Sequence, residues 1–290
     1  MNDKNKMEII RTAAGSGQWF PASQQELSSV VSAAMANASI PPQTNRIVAA
    51  IAPHAGYRFS ANVAGYTFRA IKDAANAGHK PDLVVILGFS HRQSFPGVAI
   101  MDGDALQTPL GKVQLDAKAI ATLTSASERI FSDYRPHNGE HSAENLVPFV
   151  QVALPDTPVV IALIGDHDLT TIKELQNALA QLATDRKVLV ASSTDMLHHS
   201  SWDLVTKTDK NTLKKLESMN IEGVIASWTG DHQVFCGIMP VIAAMTFAKS
   251  QSCDKASILH YRNSGDDNPE SRGQWVVGYG AAIFTSTTSE

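Results

Sequence analysis

The chain has 290 residues, of which 43% are hydrophobic and 18% charged, and its formal net charge is −4. This composition is typical of a folded globular protein and excludes a disordered chain, while the length suits one large domain or two small ones. The weakly acidic balance argues against nucleic acid or an anionic membrane as a partner, because both attract basic surfaces.

The sequence gives no indication of export or of disulfides. Residues 1–11 are polar and charged, unlike a signal peptide. Apolar runs such as residues 83–87 are far shorter than the roughly 20 residues that span a bilayer. Cys236 and Cys253 are too few for a disulfide framework. We therefore expect reduced thiols and a cytoplasmic location.

Four short segments are β-branched and apolar on both faces, as strands buried in a parallel sheet are. They are residues 47–52, 83–87, 159–164 and 188–191, and Gly, Pro or Ser follows each of them. A longer strand is predicted over residues 275–285. Gly278 and Gly280 lie inside it, which indicates a bulge or a close backbone approach.

Helical patterns lie between the strands, over residues 62–77, 142–153, 171–183, 204–219 and 237–249. Thr171 and Glu174 have the spacing of a capping box, and Pro148 is expected to bend its helix. The alternation of strands and helices predicts an α/β fold, with a mostly parallel central sheet and helices on both faces. No composition break divides the chain, so residues 1–290 are expected to form a single domain.

Chemically versatile residues follow the ends of the predicted strands, where ligands bind in open α/β sheets. His54 follows the first strand, His91 the second, and Asp195 and His198 the fourth. Cys236 precedes a helix, whose dipole would lower the pKa of the thiol. Singly, each is more often a surface histidine, an inert cysteine or a helix cap. Their repetition at three strand ends indicates a metal or catalytic site.

A further cluster occupies residues 140–144. Ser142 is interpreted as a helix N-cap with Glu144 in the first turn, and His141 is a candidate for the rim of the cleft. Residues 107–111 are interpreted as a tight turn without a functional role. The remaining candidates are interpreted as ordinary surface or hydrogen-bonding histidines: His79, His137, His167, His232 and His260.

These residues belong to a series of motifs that resembles the Memo family (mediator of cell motility; in bacteria also AmmeMemoRadiSam system protein B). The motifs occur in the family's order: RTAAGSGQWFP at 11–21, PHAGY at 53–57, LGFSH at 87–91, EHS at 140–142 with Pro148 and Phe149 following, SSTDMLH at 192–198, CG at 236–237 and VGY at 277–279. The resemblance covers roughly residues 8–286. It implies a fold like that of class III extradiol dioxygenases, which are non-haem iron enzymes that cleave aromatic rings.

The resemblance also implies a site. A metal would be held by His54, His91 and Cys236, and His198 would act as general acid–base, oriented by Asp195. The pocket would be lined by Trp19, Tyr57, Phe59 and His141. Iron(II) is the implied metal. A thiolate in place of the carboxylate of the ring-cleaving enzymes also suits copper or zinc and exposes a ligand that oxygen could oxidise.

The chain departs from the family's usual pattern at four positions. Phe89 replaces a proline, Arg92 a second histidine, Ala61 a glycine and Leu197 a serine. Every proposed metal ligand is retained, so these departures concern the lining of the cleft.

The residues and the resemblance together lead to three candidate functions. The first is a metal-dependent oxidoreductase, similar to a non-haem iron dioxygenase, acting on a small aromatic molecule. The second is a protein that binds a peptide or small ligand in the same cleft without turnover. The third is a metal-dependent hydrolase, with zinc-bound water and His198 or Asp195 as the base. Metal content and oxygen uptake discriminate between them.

Overall fold

A nine-stranded mixed sheet forms the centre of the protein in a computed structural model that describes residues 7–253 and 255–286. Residues 1–6 lie outside the described residues. They are part of the polar segment, residues 1–11, that is predicted not to be a signal peptide. The strands are β1 (Ile10–Thr12), β2 (Ile47–Ala52), β3 (Leu83–Phe89), β4 (Val98–Ile100), β5 (Ala105–Thr108), β6 (Gly111–Gln114), β7 (Ile130–Ser132), β8 (Val159–Ile164), β9 (Val188–Ser193), β10 (His198–His199), β11 (Lys255–Asn263) and β12 (Val276–Thr285).

Helices cover both faces of this sheet. They are α1 (Gln24–Asn37), α2 (Tyr57–Ala74), α3 (Ala117–Ala126), α4 (Val147–Ala153), α5 (Leu169–Leu182), α6 (Trp202–Glu217), α7 (Ile221–Ala226), α8 (Ile238–Ser250) and α9 (Ser264–Asp267). None of the helices in the described part of the chain is both long and apolar enough to cross a membrane.

The sequence of β3 shows why the sheet is buried on both sides. Leu83, Val85 and Leu87 pack into the core beneath α5 and α8, whereas Val84 and Ile86 pack into the opposite core beneath α1, α2 and α4. Successive strand side chains point to opposite faces, so a strand between two helix layers must be apolar at every position. The α/β prediction with helices on both faces is confirmed.

The prediction of a mostly parallel sheet is wrong. The strands run in the order β10-β12-β2-β9-β3-β8-β4-β7, with β11 also paired to β12. The four strands β2, β9, β3 and β8 are mutually parallel, as predicted. However, β12 runs antiparallel to β2, β10 and β11, and β4 runs antiparallel to β8. The antiparallel strands β12 and β4 therefore make the sheet mixed.

Two helix starts differ from the sequence-based predictions. Helix α2 begins at Tyr57, directly after the loop that follows β2, rather than at residue 62. Helix α5 is capped by Asp168, whose carboxylate accepts a hydrogen bond from Thr170 N, so the predicted capping box of Thr171 and Glu174 is wrong. The tight turn predicted at residues 107–111 is confirmed as the β5–β6 connection.

The segment after residue 140 is also less regular than predicted. A short 3-10 turn, Glu144–Leu146, precedes α4, and Pro148 lies in the first turn of α4 instead of bending a longer helix. Ser142 is not an N-cap, because its hydroxyl donates to the carbonyl oxygen of Phe89 at 2.9 Å. This bond ties residues 140–144 to the end of β3.

The close backbone approach predicted at Gly278 is confirmed. A Cβ atom at this position would lie 1.8 Å from Oδ2 of Asp209. Asp209 is fully buried and accepts hydrogen bonds from Leu197 N at 3.1 Å and from the Tyr261 hydroxyl at 2.9 Å. Gly278 thus leaves room for a carboxylate that fixes the loop before His198.

Gly278→Ala is expected to lower the free energy of unfolding by about 2–3 kcal/mol, because the added methyl group must displace Asp209 from its two donors. Chemical denaturation measures the change. Gly230→Ala is the control, since a Cβ there meets nothing within 4 Å, and it should change the stability by less than about 0.5 kcal/mol. Equal stabilities of the two variants would contradict this interpretation of Gly278.

Candidate metal and catalytic site

The parallel strands β2, β3 and β9 bring their carboxyl ends to one edge of the sheet. His54 follows β2, His91 follows β3 and Asp195 follows β9. Cys236 lies in the loop before α8. Its backbone N–H donates a hydrogen bond to the carbonyl oxygen of Asp195 at 3.2 Å, which holds the loop next to the end of β9. The fold therefore places four of the predicted site residues side by side.

The sulfur of Cys236 lies at the centre of this group. It is 3.2 Å from Nε2 of His54 and accepts a hydrogen bond from the backbone N–H of Asp195, also at 3.2 Å. His91 and His198 also face the thiol closely enough to lower its pKa. Cys236 contacts the histidines without itself lining the cleft above them.

Hydrogen bonds fix the orientation of the His54 ring. Its Nδ1 is 3.1 Å from the hydroxyl oxygen of Ser193, and that hydroxyl donates to the carbonyl oxygen of Ser142. Because the hydroxyl proton is already used, Nδ1 of His54 must donate to Ser193. Nε2 is then the nitrogen that faces Cys236, which is the arrangement that prepares an imidazole to bind a metal.

His91 is oriented by a buried carboxylate. Its Nδ1 lies 3.1 Å from Oε1 of Glu140, which also accepts from the backbone N–H groups of His141 and Ser142, each at 2.9 Å. Burial raises the pKa of Glu140, but its bonds to His91 outweigh this and hold the pKa well below its usual range. Carboxylate–histidine pairs of this kind often support metal ligands.

His141 lies deeper than the rim position predicted for it. Its ring centroid is 5.4 Å from that of His54 and 5.5 Å from that of His91, and the indole of Trp19 stacks on it at 3.5 Å. Burial, reinforced by the nearby charge of His54, lowers the pKa of His141 to about 3, so this imidazole is neutral. One nitrogen from each of His54, His91 and His141 fits within a 4.8 Å group that could hold a metal ion.

A second group of the same size consists of one atom each from His54, Asp195 and Cys236. Asp195 is buried, and its Oδ1 accepts from the backbone N–H of His54 at 2.9 Å and of Ala55 at 3.2 Å. No helix follows it, so the alternative that it caps a helix is wrong. Within the described chain no hydrogen bond joins Asp195 to His198, so the predicted orientation of His198 by Asp195 stays a prediction. Asp195 acts on His198 through its charge instead.

His198 is held by the short strand β10, which pairs with Val277 of β12. Its Nε2 is buried and has no hydrogen-bond partner among the described residues. Burial lowers the pKa of His198, but the thiol of Cys236 and the charge of Asp195 outweigh burial and raise it. An imidazole with an unpaired buried nitrogen beside the cluster is able to exchange a proton with a bound molecule.

The thiol and the imidazoles shift one another's ionisation. Burial raises the pKa of Cys236, but the charge of His54 and the proximity of the imidazoles of His54, His198 and His91 hold it well below its usual value. Burial lowers the pKa of His91, but bonds to Cys236 and Glu140 raise it to about 10. The lowered thiol pKa was predicted from the α8 dipole, and the structure adds the imidazoles as its main cause.

A cleft of about 1260 Å³ opens above these groups. The residues expected to line it do so: Trp19, Tyr57, Phe59 and His141. Tyr57 presents only its ring, because its hydroxyl donates to the carbonyl oxygen of Asn145 at 2.7 Å. Trp275 also lines the cleft and is 60% exposed, but nothing in its local sequence marks it as a site residue.

The histidines set aside in the sequence do not line this cleft. His137 is buried, with Nε2 3.1 Å from the carbonyl oxygen of Ala99. His167 stacks on Trp228 and His260 on Tyr66, at 4.5 and 4.1 Å between ring centroids. Glu140 and Ser193, by contrast, were not predicted as supporting residues.

Fold and site together define an α/β protein with a candidate metal centre at the carboxyl edge of its central sheet. The chain belongs to the Memo family: a family model described as Memo-like protein matches residues 11–283. The resemblance inferred from the ordered motifs is confirmed.

Relatives cover nearly the whole chain. A MEMO1 family protein of Methanopyrus kandleri is 31% identical, over 94% of this chain and 98% of that protein. One of Nitrosopumilus maritimus is 29% identical, over 95% and 100%. Among solved structures, an uncharacterized protein from Escherichia coli K12 is 14% identical with a TM-score of 0.48, covering 82% of this chain and all of that one.

Proposed function

We propose that the protein is a metal-dependent oxidoreductase, similar in chemistry to a non-haem iron dioxygenase, that acts on a small aromatic molecule. One observation carries the proposal. The Cys236 sulfur lies 3.2 Å from His54 Nε2, in a cluster where His54 and His91 each direct Nδ1 to an oxygen atom. This leaves Nε2 of both rings available to a metal. His54 belongs to both compact donor groups of the described residues, one with His91 and His141 and the other with Asp195 and Cys236, so an ion beside His54 is within reach of either set. A cytoplasmic setting, in which the thiol stays reduced, belongs to the same proposal.

The chemistry of these donors suits the proposed ion. Two imidazoles and a thiolate accept iron(II), and the soft sulfur also accepts copper or zinc. The unpaired, buried Nε2 of His198 adds a polar atom that a group bound at the cluster would satisfy. When bound by His54, His91 and Cys236, the metal would supply a Lewis acid and, as iron or copper, a redox centre.

The chain's own residues divide the remaining work. His198 serves as general acid–base, because its imidazole lies beside the cluster with an unpaired Nε2 and its pKa is raised despite burial by Cys236 and Asp195. Asp195 positions His54 by accepting the backbone N–H groups of His54 and Ala55. Trp19, stacked on the neutral ring of His141, provides a flat surface on which an aromatic substrate can lie.

The test begins with protein purified without added metal or affinity tag and analysed for its elements. Anaerobic loading with iron(II) and oxygen-uptake measurements with a panel of aromatic diols then follow. We expect stoichiometric metal and uptake that depends on both iron and substrate. Stoichiometric zinc without oxygen uptake would favour the metal-dependent hydrolase instead. Absence of metal, or metal without any turnover, would overturn the proposal.

The second candidate function is binding of a peptide or small molecule without turnover. The size of the cleft favours it, because about 1260 Å³ exceeds what one aromatic ring fills. The rim also exposes Phe59 (37%) and Trp275 (60%), as surfaces that dock a larger ligand do. Neither candidate requires nucleic acid or a membrane as a partner.

A further inference from the structure

Arg92 brings a cation to the cleft. Its side chain lines the cleft next to His91. The guanidinium packs on the backbone of Gly139, since a Cβ atom at that glycine would lie 3.3 Å from Nη1 and 3.4 Å from Cζ of Arg92. Gly139 has a φ of +78°, a conformation that suits glycine and leaves the space that the guanidinium occupies.

No carboxylate forms an ion pair with Arg92 within the described residues. Glu140, the acidic residue beside Gly139, is engaged by Nδ1 of His91 at 3.1 Å and by the backbone N–H groups of His141 and Ser142, each at 2.9 Å. Buried charges elsewhere in the cleft are similarly occupied, as Asp195 is by backbone N–H groups. The planar donor fork of Arg92 therefore faces a ligand cleft without an acceptor from the protein, and such a fork matches a carboxylate.

We propose that Arg92 makes this cleft selective for aromatic ligands that carry a carboxylate. The flat surface of Trp19 and His141 receives the ring, and Arg92 receives the anion at the edge of the same cleft. The proposal rests on the proposed oxidoreductase function only where it calls the ligand a substrate. The binding of an aromatic carboxylate does not depend on that function.

The test measures binding to the metal-free protein at low salt by ligand-observed NMR titration. Benzoate, its neutral analogue benzamide and the dianion phenyl phosphate are the probes. We expect benzoate to bind about tenfold more tightly than benzamide, because its carboxylate forms a charge-assisted hydrogen bond with Arg92 that the neutral amide does not form. Arg92→Gln should reduce benzoate binding to the level of benzamide and leave benzamide unchanged. Arg92→Lys should retain only part of the preference, because it keeps the charge and loses the fork.

Arg69→Gln is the matched control. Arg69 does not line the cleft and is paired with Asp73 at 2.9 Å, so its loss should change benzoate binding by no more than about twofold. The proposal is overturned if benzoate and benzamide bind alike or neither binds. It is also overturned if the preference survives in Arg92→Gln, if Arg69→Gln abolishes it equally, or if phenyl phosphate binds best. Because no metal or turnover enters this test, it can fail independently of the oxidoreductase assay.

Discussion

Cys236→Ser is expected to abolish retention of copper or zinc and to weaken retention of iron. A serine hydroxyl stays protonated at neutral pH and is a poor ligand for a soft metal, whereas the thiol pKa of Cys236 is held well below its usual value. We expect metal affinity to fall by more than about 100-fold. Loss of a residue that only hydrogen-bonds to a metal ligand already lowers metal affinity by about 10–100-fold, and loss of a ligand should lower it further. Metal content after dialysis against a chelator measures the effect.

The same variant should change how metal affinity depends on pH. The pKa of His91 is raised to about 10, partly by Cys236, so the metal-free cluster holds a proton that a metal must expel. Affinity should therefore rise with pH between 6 and 9, by about tenfold per unit for each proton released. Without the sulfur, the pKa of His91 falls and the rise should become shallower.

Cys253→Ala is the control, because Cys253 is buried in the core between α8 and the sheet. It should retain the metal content of the wild type, even if it lowers the stability. Unchanged metal binding in Cys236→Ser would show that sulfur is not a ligand. The imidazoles of His54, His91 and His141 would then be the better candidates for the metal site.

The parallel centre of the fold could be predicted because its strands are apolar at every position. Residues 159–164, for example, are all buried, so composition alone marks β8 as a strand between two helix layers. Strands such as β4 and β10 have only three and two residues and offer no periodicity. The direction of β12 depends on its pairing with β2 and β11, which no local pattern encodes.

The same distinction applies to the site. His54, His91 and Asp195 could be predicted to meet because they follow neighbouring parallel strands. Their supporting contacts could not, since Glu140 is 49 residues from His91 and Ser193 is 139 residues from His54. The sequence also could not distinguish a helix cap from a carboxylate that accepts backbone N–H groups of a loop.

His198→Ala is expected to separate metal binding from turnover. A general acid–base does not hold the metal, so the variant should keep the metal content of the wild type and lose about 10²–10⁴-fold in rate. The cavity left by the imidazole lies beside the cluster, where Nε2 has no other protein partner in the described chain. Added imidazole should therefore restore part of the rate.

The adjacent His199→Ala is the matched control. His199 lies on the same short strand but does not line the cleft, and its Nδ1 accepts from the backbone N–H of Ser201 at 2.9 Å. His199→Ala should lower the free energy of unfolding by about 1 kcal/mol or less, because it removes one hydrogen bond. The rate should stay within about threefold of the wild type, because His199 contacts no substrate. If His198→Ala instead lost metal as completely as Cys236→Ser, His198 would be a ligand, and the proton would have to come from another group in the cleft.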